Sequence, residues 1–282
     1  MAFTTLIDTG TLARHLDQPM VAIVDCRFKL DDLDWGAREY EARHIPGAVY
    51  VHLEVDLSGE KTGANGRHPL PDPAALARAL GRLGIDDTVQ VVAYDQDAGM
   101  YGSRLWWMLR WMGHDRAAVV DGGMARWTAE HRDTRAGREI RHARVFTPRL
   151  RPEMIADAAE IARLIGRADS RLVDARAPER FRGESETIDK KAGHIPGAVN
   201  HFFKWNVNDE DVFRPLDELR ARLGEALGGV PPERAICYCG SGVTACHNLL
   251  ALEHAGLGGA RLYPGSWSEW SSDPTRPTDP PT

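Results

Sequence analysis

The chain reads as one domain written twice. His44-Ile-Pro-Gly-Ala-Val49 returns as His194-Ile-Pro-Gly-Ala-Val199, and the agreement extends well beyond that element. Upstream, Ile23-Val-Asp-Cys-Arg27 answers Leu172-Val-Asp-Ala-Arg176; downstream, Val91-Val-Ala-Tyr-Asp95 answers Ala235-Ile-Cys-Tyr-Cys239, and Asp121-Gly-Gly-Met-Ala-Arg-Trp127 answers Pro264-Gly-Ser-Trp-Ser-Glu-Trp270. A period of this length is domain-sized, which excludes a short-repeat solenoid and requires two copies of one fold in tandem. A chain of 282 residues, 43% apolar and 27% charged, has the material for two globular cores.

Within each copy, short β-rich runs such as 21–24, 89–94 and 117–120 alternate with helical stretches such as 73–83 and 102–112. The strands read as continuous apolar runs, so both faces of the sheet must be covered. The fold class expected is α/β: a tandem pair of domains, each a parallel sheet with helices on both faces. The first domain is expected over 1–135, a linker over 136–155 around a basic, apolar-poor stretch, and the second domain over 156–282. The Pro-, Ser-, Thr- and Asp-rich tail from Ser271 is expected to be loosely held.

Composition narrows the function. A net charge of -6 and the absence of any Lys/Arg block give no general attraction to nucleic acid or to an anionic membrane, so a small soluble partner is expected. The N-terminus lacks a basic region with an apolar core, and no apolar run is long enough to span a bilayer. Four cysteines are too few for a disulfide framework, and Cys237, Cys239 and Cys246 crowd one segment without metal-ligand spacing. A reducing, cytoplasmic setting is expected.

Cys239 carries the chemistry. It ends an apolar strand and opens the small-residue loop Cys239-Gly240-Ser241-Gly242-Val243-Thr244, which leads into a helix. Glycines let successive N–H groups converge on one anion, and the positive end of the helix adds to the effect, so the setting favours a thiolate nucleophile. In open parallel sheets, ligands gather beyond the carboxyl ends of the strands, where this loop falls. The matching position in the first copy is Asp95, a carboxylate that cannot perform thiol chemistry, so the N-terminal domain is expected to be non-catalytic.

The tandem repeat, the paired His-Ile-Pro-Gly-Ala elements and the Cys239 loop together resemble the two-domain sulfurtransferases, the rhodanese and 3-mercaptopyruvate sulfurtransferase family, over nearly the whole chain. The resemblance implies that Cys239 accepts a sulfur atom, carries it as a persulfide and passes it on. It implies a small anionic sulfur donor and, as acceptor, a thioredoxin-like protein, a small thiol or cyanide; no metal, nucleotide or organic cofactor is implied. The neutral loop is similar to that of mercaptopyruvate-type members, with thiosulfate as the alternative donor. By the same resemblance Ser241 pairs with His68 in Gly-Arg-His68-Pro and with Glu54, with Asp56 as a competitor for the acid's role. Arg180 is implied as the donor's anchor, with Gly240, Gly242, Val243 and Thr244 lining the site. A second arginine usual a few residues later is absent from Gly183-Glu-Ser-Glu-Thr-Ile-Asp-Lys-Lys191, leaving Lys190, Lys191 and Arg182 as substitutes.

Plainer readings compete for several of these residues. Cys26 and Cys237 lie in strands and read as core filler, and Cys246, on the helix, reads as packing ahead of a redox role. His44 and His194 occur in both copies, including the one without Cys239, which favours a fold role. Trp106, Trp107 and Trp111 at helical spacing read as core. Cysteine-dependent phosphatases use a similar loop but need an arginine where this chain has Ala245. A non-catalytic binding module is disfavoured by Cys239 itself.

Overall fold

Apolar runs rich in Val, Ile and Ala become fully buried strands, and the turns between them are set by glycine and proline. The computed structural model describes residues 2–280 and parts into two units. The first takes the chain up to Gly59, Pro71–Arg151 and Asp209–Phe213; the second takes Glu60–Leu70, Pro152–Asn208 and the chain from Arg214 onward.

In the first unit, β1 (Leu6–Ile7), α1 (Thr9–Ala13), β2 (Val21–Asp25), α2 (Trp35–Ala42), β3 (Val49–Tyr50), α3 (Pro73–Arg82), β4 (Gln90–Tyr94), α4 (Met100–Trp111), β5 (Ala117–Val120) and α5 (Gly123–Ala129) follow one another. All strands run parallel in the order β1-β5-β4-β2-β3, with Ile23 opposite Val92 and Val92 opposite Ala118. Ile23, Val92, Tyr94, Ala118 and Val120 turn one face toward Leu12 of α1 and Met124 and Trp127 of α5. On the other face Gly102 lets α4 lie directly on the sheet: a Cβ there would meet Val119 Cγ1 at 3.2 Å and Ala93 Cβ at 3.7 Å. α3 starts where Asp72-Pro73 dictates, the Asp72 carboxylate accepting the Ala75 N–H at 2.9 Å and proline filling the first helical position.

The second unit repeats the plan with α6 (Ala158–Leu164), β6 (Arg171–Asp174), α7 (Pro178–Phe181), β7 (Val199–Asn200), α8 (Leu216–Leu227), β8 (Ala235–Tyr238), α9 (Thr244–His254), β9 (Arg261–Leu262) and α10 (Ser266–Trp270). Its parallel sheet has the order β7-β6-β8-β9, and the edge pairing made by β1 in the first unit shrinks to a single bridge between Ile155 and Leu262. Leu172, Ile236 and Tyr238 pack against Ile161 of α6 and Trp267 and Trp270 of α10.

The repeated motifs turn out to be parts of one buried network, present in each unit. Asp25 and Asp174, both fully buried, each accept two bonds from the Nε of Arg27 or Arg176, whose Nη2 also donates to the carbonyl of Arg43 or Gly193. Tyr94 donates to Asp25 at 2.6 Å and accepts the Ile45 N–H, as Tyr238 accepts the Ile195 N–H. Buried charges persist only when paired and hydrogen-bonded in this way. The histidines of the two His-Ile-Pro-Gly-Ala elements bond through Nδ1 to backbone carbonyls, of Tyr40 and Phe181, at 2.7 Å each. Gly47 and Gly197 have φ of +78° and +80°, which makes the turn that delivers β3 and β7 to the sheet. His44 and His194 therefore serve the fold.

The units depart from the sequence expectation at Asp209–Phe213, which joins the first unit, and in three further places. Most of the stretch expected as a linker belongs to the first unit, because its backbone and its arginines find partners there. Arg144 N–H donates to Gly81 O and Arg149 N–H to Met112 O, while the guanidinia of Arg144 and Arg151 pair with Asp86 and Asp115. Glu60–Leu70, expected in the first domain, belongs to the second unit: Arg67 N–H donates to Ser268 Oγ at 3.0 Å, and Gly66 approaches Gly265 so closely that a Cβ would fall 2.7 Å from its carbonyl oxygen. The tail as far as Asp279 is held rather than loose, with Trp270 Nε1 donating to Pro277 O and His194 and Asp279 exchanging backbone bonds.

Candidate active site

β8 ends at Tyr238, and the chain turns through Cys239 into α9. Cys239 is 2% exposed, and its Sγ accepts the Gly242 N–H at 3.1 Å. The loop can close on the sulfur because Gly242 takes φ +76°, where a Cβ would lie 2.5 Å from Pro264 O. Val243 caps α9 and Thr244 is its first residue, so the positive end of an eleven-residue helix adjoins the sulfur. The rest of the loop is fixed by α10: Trp267 N–H donates to Cys239 O and Ser268 N–H to Gly240 O, both at 2.9 Å. Ser266 sits at φ +54°, a region that costs a non-glycine residue on the order of 1 kcal/mol. Its hydroxyl offsets this by accepting the Cys239 N–H at 3.1 Å and donating to Tyr263 O at 2.9 Å.

His68 and Ser241 come together as the sequence led one to expect. His68 Nδ1 lies 2.8 Å from Ser241 Oγ, with His68 1% and Ser241 7% exposed. Both belong to the second unit, since His68 travels with Glu60–Leu70. Glu54 and Asp56 are residues of the first unit, where Asp56 accepts the His52 N–H at 2.9 Å and pairs with Arg82.

Arg180, on α7, reaches the loop, and it does not come alone. A Cβ on Gly240 would fall 3.5 Å from Arg180 Nη1 and 3.0 Å from Arg67 Nη2, so two guanidinium groups lie close over the loop at Gly240. Arg67, and none of Arg182, Lys190 and Lys191, is the basic side chain that joins Arg180 beside Gly240. Arg182 pairs with exposed Glu184 instead, the Lys191 ammonium donates to the carbonyls of Asp273, Pro274 and Arg276, and Lys190 is exposed. Arg67 Nε is buried with no hydrogen-bond partner among the described residues. The adjoining His68 was the signal that could have found it.

The first unit holds the same loop with its anion built in. Asp95, fully buried at the position of Cys239, accepts N–H bonds from Asp97, Gly99, Tyr101 and Gly102 at 2.6–3.2 Å. Its main chain is pinned as in the second unit, by Met124 N–H to Asp95 O and Ala125 N–H to Gln96 O. Burial, helped by the charge of Asp97, pushes the Asp95 carboxyl up to about 6, while the N–H bonds pull the other way. In the unfolded chain it titrates near ~4, so protonation favours the folded state: this group's contribution is complete below pH ~4 and is lost as pH rises through about 6. Urea unfolding of wild type and Asp95→Asn should therefore give a stability difference that shrinks by roughly 3 kcal/mol between pH ~4 and ~7. A difference independent of pH would assign the shift to other groups.

The remaining cysteines are packed away. Burial pushes the Cys26 and Cys237 thiols well up, and Cys246, fully buried, donates to Gly242 O at 3.3 Å. Fold and site together define an α/β protein of two like units, one of which carries a buried cysteine at a strand-to-helix bend beside two arginines.

Known proteins share this plan. The rhodanese-like domain matches the chain twice, over residues 8–130 and 157–273. Over 279 residues the chain is 44% identical to the probable 3-mercaptopyruvate sulfurtransferase of Pseudomonas aeruginosa, with 98% of both chains covered. It is 40% identical over 262 residues to the putative thiosulfate sulfurtransferase SseB of Mycobacterium tuberculosis, covering 91% of this chain and 90% of the relative. Its fold matches the crystal structure of SseA, a 3-mercaptopyruvate sulfotransferase from Escherichia coli, with a TM-score of 0.82 at 32% identity, over 95% of this chain and 100% of the other. The chain belongs to the rhodanese-like family of two-domain sulfurtransferases. Sulfur transfer through a cysteine persulfide is the chemistry of that family.

Proposed function

We propose that the donor is 3-mercaptopyruvate, that Cys239 carries the sulfur, and that the acceptor is a thioredoxin-like protein or a small thiol, with cyanide as a substitute. The observation that carries this reading is the buried hydrogen bond between Ser241 and His68 beside the Cys239 loop. Thiosulfate releases sulfite, which needs no proton, whereas mercaptopyruvate releases an enolate that does. A hydroxyl coupled to an imidazole serves the second reaction and has no task in the first.

The Cys239 thiolate attacks the sulfur of the donor, and an S–S bond forms as the C–S bond breaks. The electron pair stays on carbon as the enolate of pyruvate. Ser241 Oγ donates to the oxygen where that charge collects, and one proton from the Ser241–His68 pair or from water completes pyruvate. Arg180 and Arg67 grip the donor's carboxylate, a group whose two oxygens suit the guanidinium fork. In the second half an acceptor thiolate attacks the outer sulfur, the S–S bond breaks, and the Cys239 thiolate returns. Four free cysteines, all buried, accord with a reducing compartment such as the cytoplasm. Among the described residues no helix is long and apolar enough to cross a membrane.

The 40% identity to a putative thiosulfate sulfurtransferase favours thiosulfate as the second reading. Steady-state kinetics with both donors decides between them, and kcat/KM is expected to be higher for 3-mercaptopyruvate. His68→Ala should lower mercaptopyruvate turnover by about 100-fold, within the usual range for a lost proton relay, and thiosulfate turnover only a few-fold. Equal losses with the two donors would remove His68 from the relay.

A further inference from the structure

The two guanidinium groups over Gly240 are held in place by two carboxylates. Asp189 spans them, with Oδ1 2.6 Å from Arg67 Nη1 and Oδ2 3.0 Å from Arg180 Nη2. Glu186 accepts three further bonds from Arg180 at 2.8–3.3 Å and lies 3.5 Å from Arg176, which is already paired with Asp174. Both carboxylate side chains are 3% exposed, while the arginines keep about a fifth of their surface open (22% for Arg67, 21% for Arg180). Burial works to raise the Glu186 carboxyl, but the N–H groups of Asp189 and Ile188 and the Arg180 guanidinium hold it below its usual range, so it is ionised at neutral pH.

The charges facing a donor therefore nearly cancel before the donor arrives. We propose that Asp189 is a specificity-determining residue: by offsetting one guanidinium charge at fixed, buried geometry, it biases the site toward a singly charged carboxylate donor and against a doubly charged one such as thiosulfate. This rests on the reading of the site as a mercaptopyruvate site and adds the reason for its preference. The step from charge to specificity is electrostatic. A fixed negative charge a few ångströms away weakens binding of a monoanion by some factor and of a dianion by about the square of that factor, because the interaction scales with the donor's charge. Asp189 also keeps two like charges side by side, so removing it disturbs both arginines; Asp189→Glu, which keeps the charge, separates that disturbance from the loss of charge.

The test measures kcat/KM for 3-mercaptopyruvate and for thiosulfate in wild type, Asp189→Asn and Asp189→Glu. In Asp189→Asn the thiosulfate-to-mercaptopyruvate ratio should rise about tenfold, even if both rates fall, and added salt should shrink the rise because dissolved ions screen the partly open guanidinium face that meets the donor. Asp189→Glu keeps the charge and should keep the wild-type ratio. If the amide variant does not fold, Asp189→Ser removes the same charge with a smaller side chain and carries the same expectation. An unchanged ratio in the neutral variants, with wild type still preferring mercaptopyruvate, would overturn the role of Asp189 and leave the donor assignment standing. A wild type that prefers thiosulfate would instead overturn the donor assignment, whatever the variants do.

Discussion

Cys239→Ser should abolish sulfur transfer, lowering kcat/KM by at least about 10⁴ with any donor while leaving the fold intact. A serine hydroxyl stays protonated near neutral pH and is a poor match for a sulfur electrophile, whereas a thiolate is a strong one. The substitution nearly preserves shape: the side chain is 2% exposed, its backbone is fixed by Ser266 and Trp267, and the Gly242 N–H can turn to the oxygen. Thermal unfolding should therefore move by no more than a few degrees. Mass spectrometry supplies the second readout. Treating wild type with donor alone should add one sulfur atom, located by fragment ions to Cys239, and none to Cys26, Cys237 or Cys246. Turnover by Cys239→Ser within about tenfold of wild type, or sulfur found on another cysteine, would remove the nucleophile from its place.

What the sequence disclosed, and what it concealed, has a physical pattern. The Cys239 loop was legible because strand, glycines and helix are consecutive, so local chemistry and local geometry coincide. The repeated Asp-x-Arg and His-Ile-Pro-Gly-Ala elements were legible as recurrent but not as one network, since the contacts joining Asp25 to Tyr94 and Tyr94 to Ile45 are long-range. Arg67 was passed over because a partner for Arg180 was sought near Arg180, while Glu60–Leu70 folds with the second unit rather than with the residues that flank it in sequence. The expected linker misled for the opposite reason: its many arginines suggested solvation, but each guanidinium of Arg144 and Arg151 meets a carboxylate of the first unit.

Arg180→Ala should lower kcat/KM for 3-mercaptopyruvate by about 10³, because one truncation removes an attraction and exposes two repulsions. The lost attraction is the fork that holds the donor's carboxylate. The repulsions come from Glu186 and Asp189, buried side chains that lose the guanidinium to which each is bonded at 2.8–3.0 Å and then face the incoming anion. Removing one member of such a pair costs ~2–5 kcal/mol, most of it from the charge left behind, and ~4 kcal/mol corresponds to about three powers of ten. The loss should fall mainly on KM if the carboxylate is gripped equally in the ground and transition states. Arg180→Lys keeps a point charge without the planar fork and should recover part of the loss, to about 10–100-fold below wild type. Combining Arg180→Ala with Glu186→Gln removes a repulsion along with the attraction, so the double variant should be more active than Arg180→Ala alone. If Arg180 merely braced the loop, the second substitution would compound the damage, and if it did nothing for the donor, Arg180→Ala would stay within about fivefold of wild type.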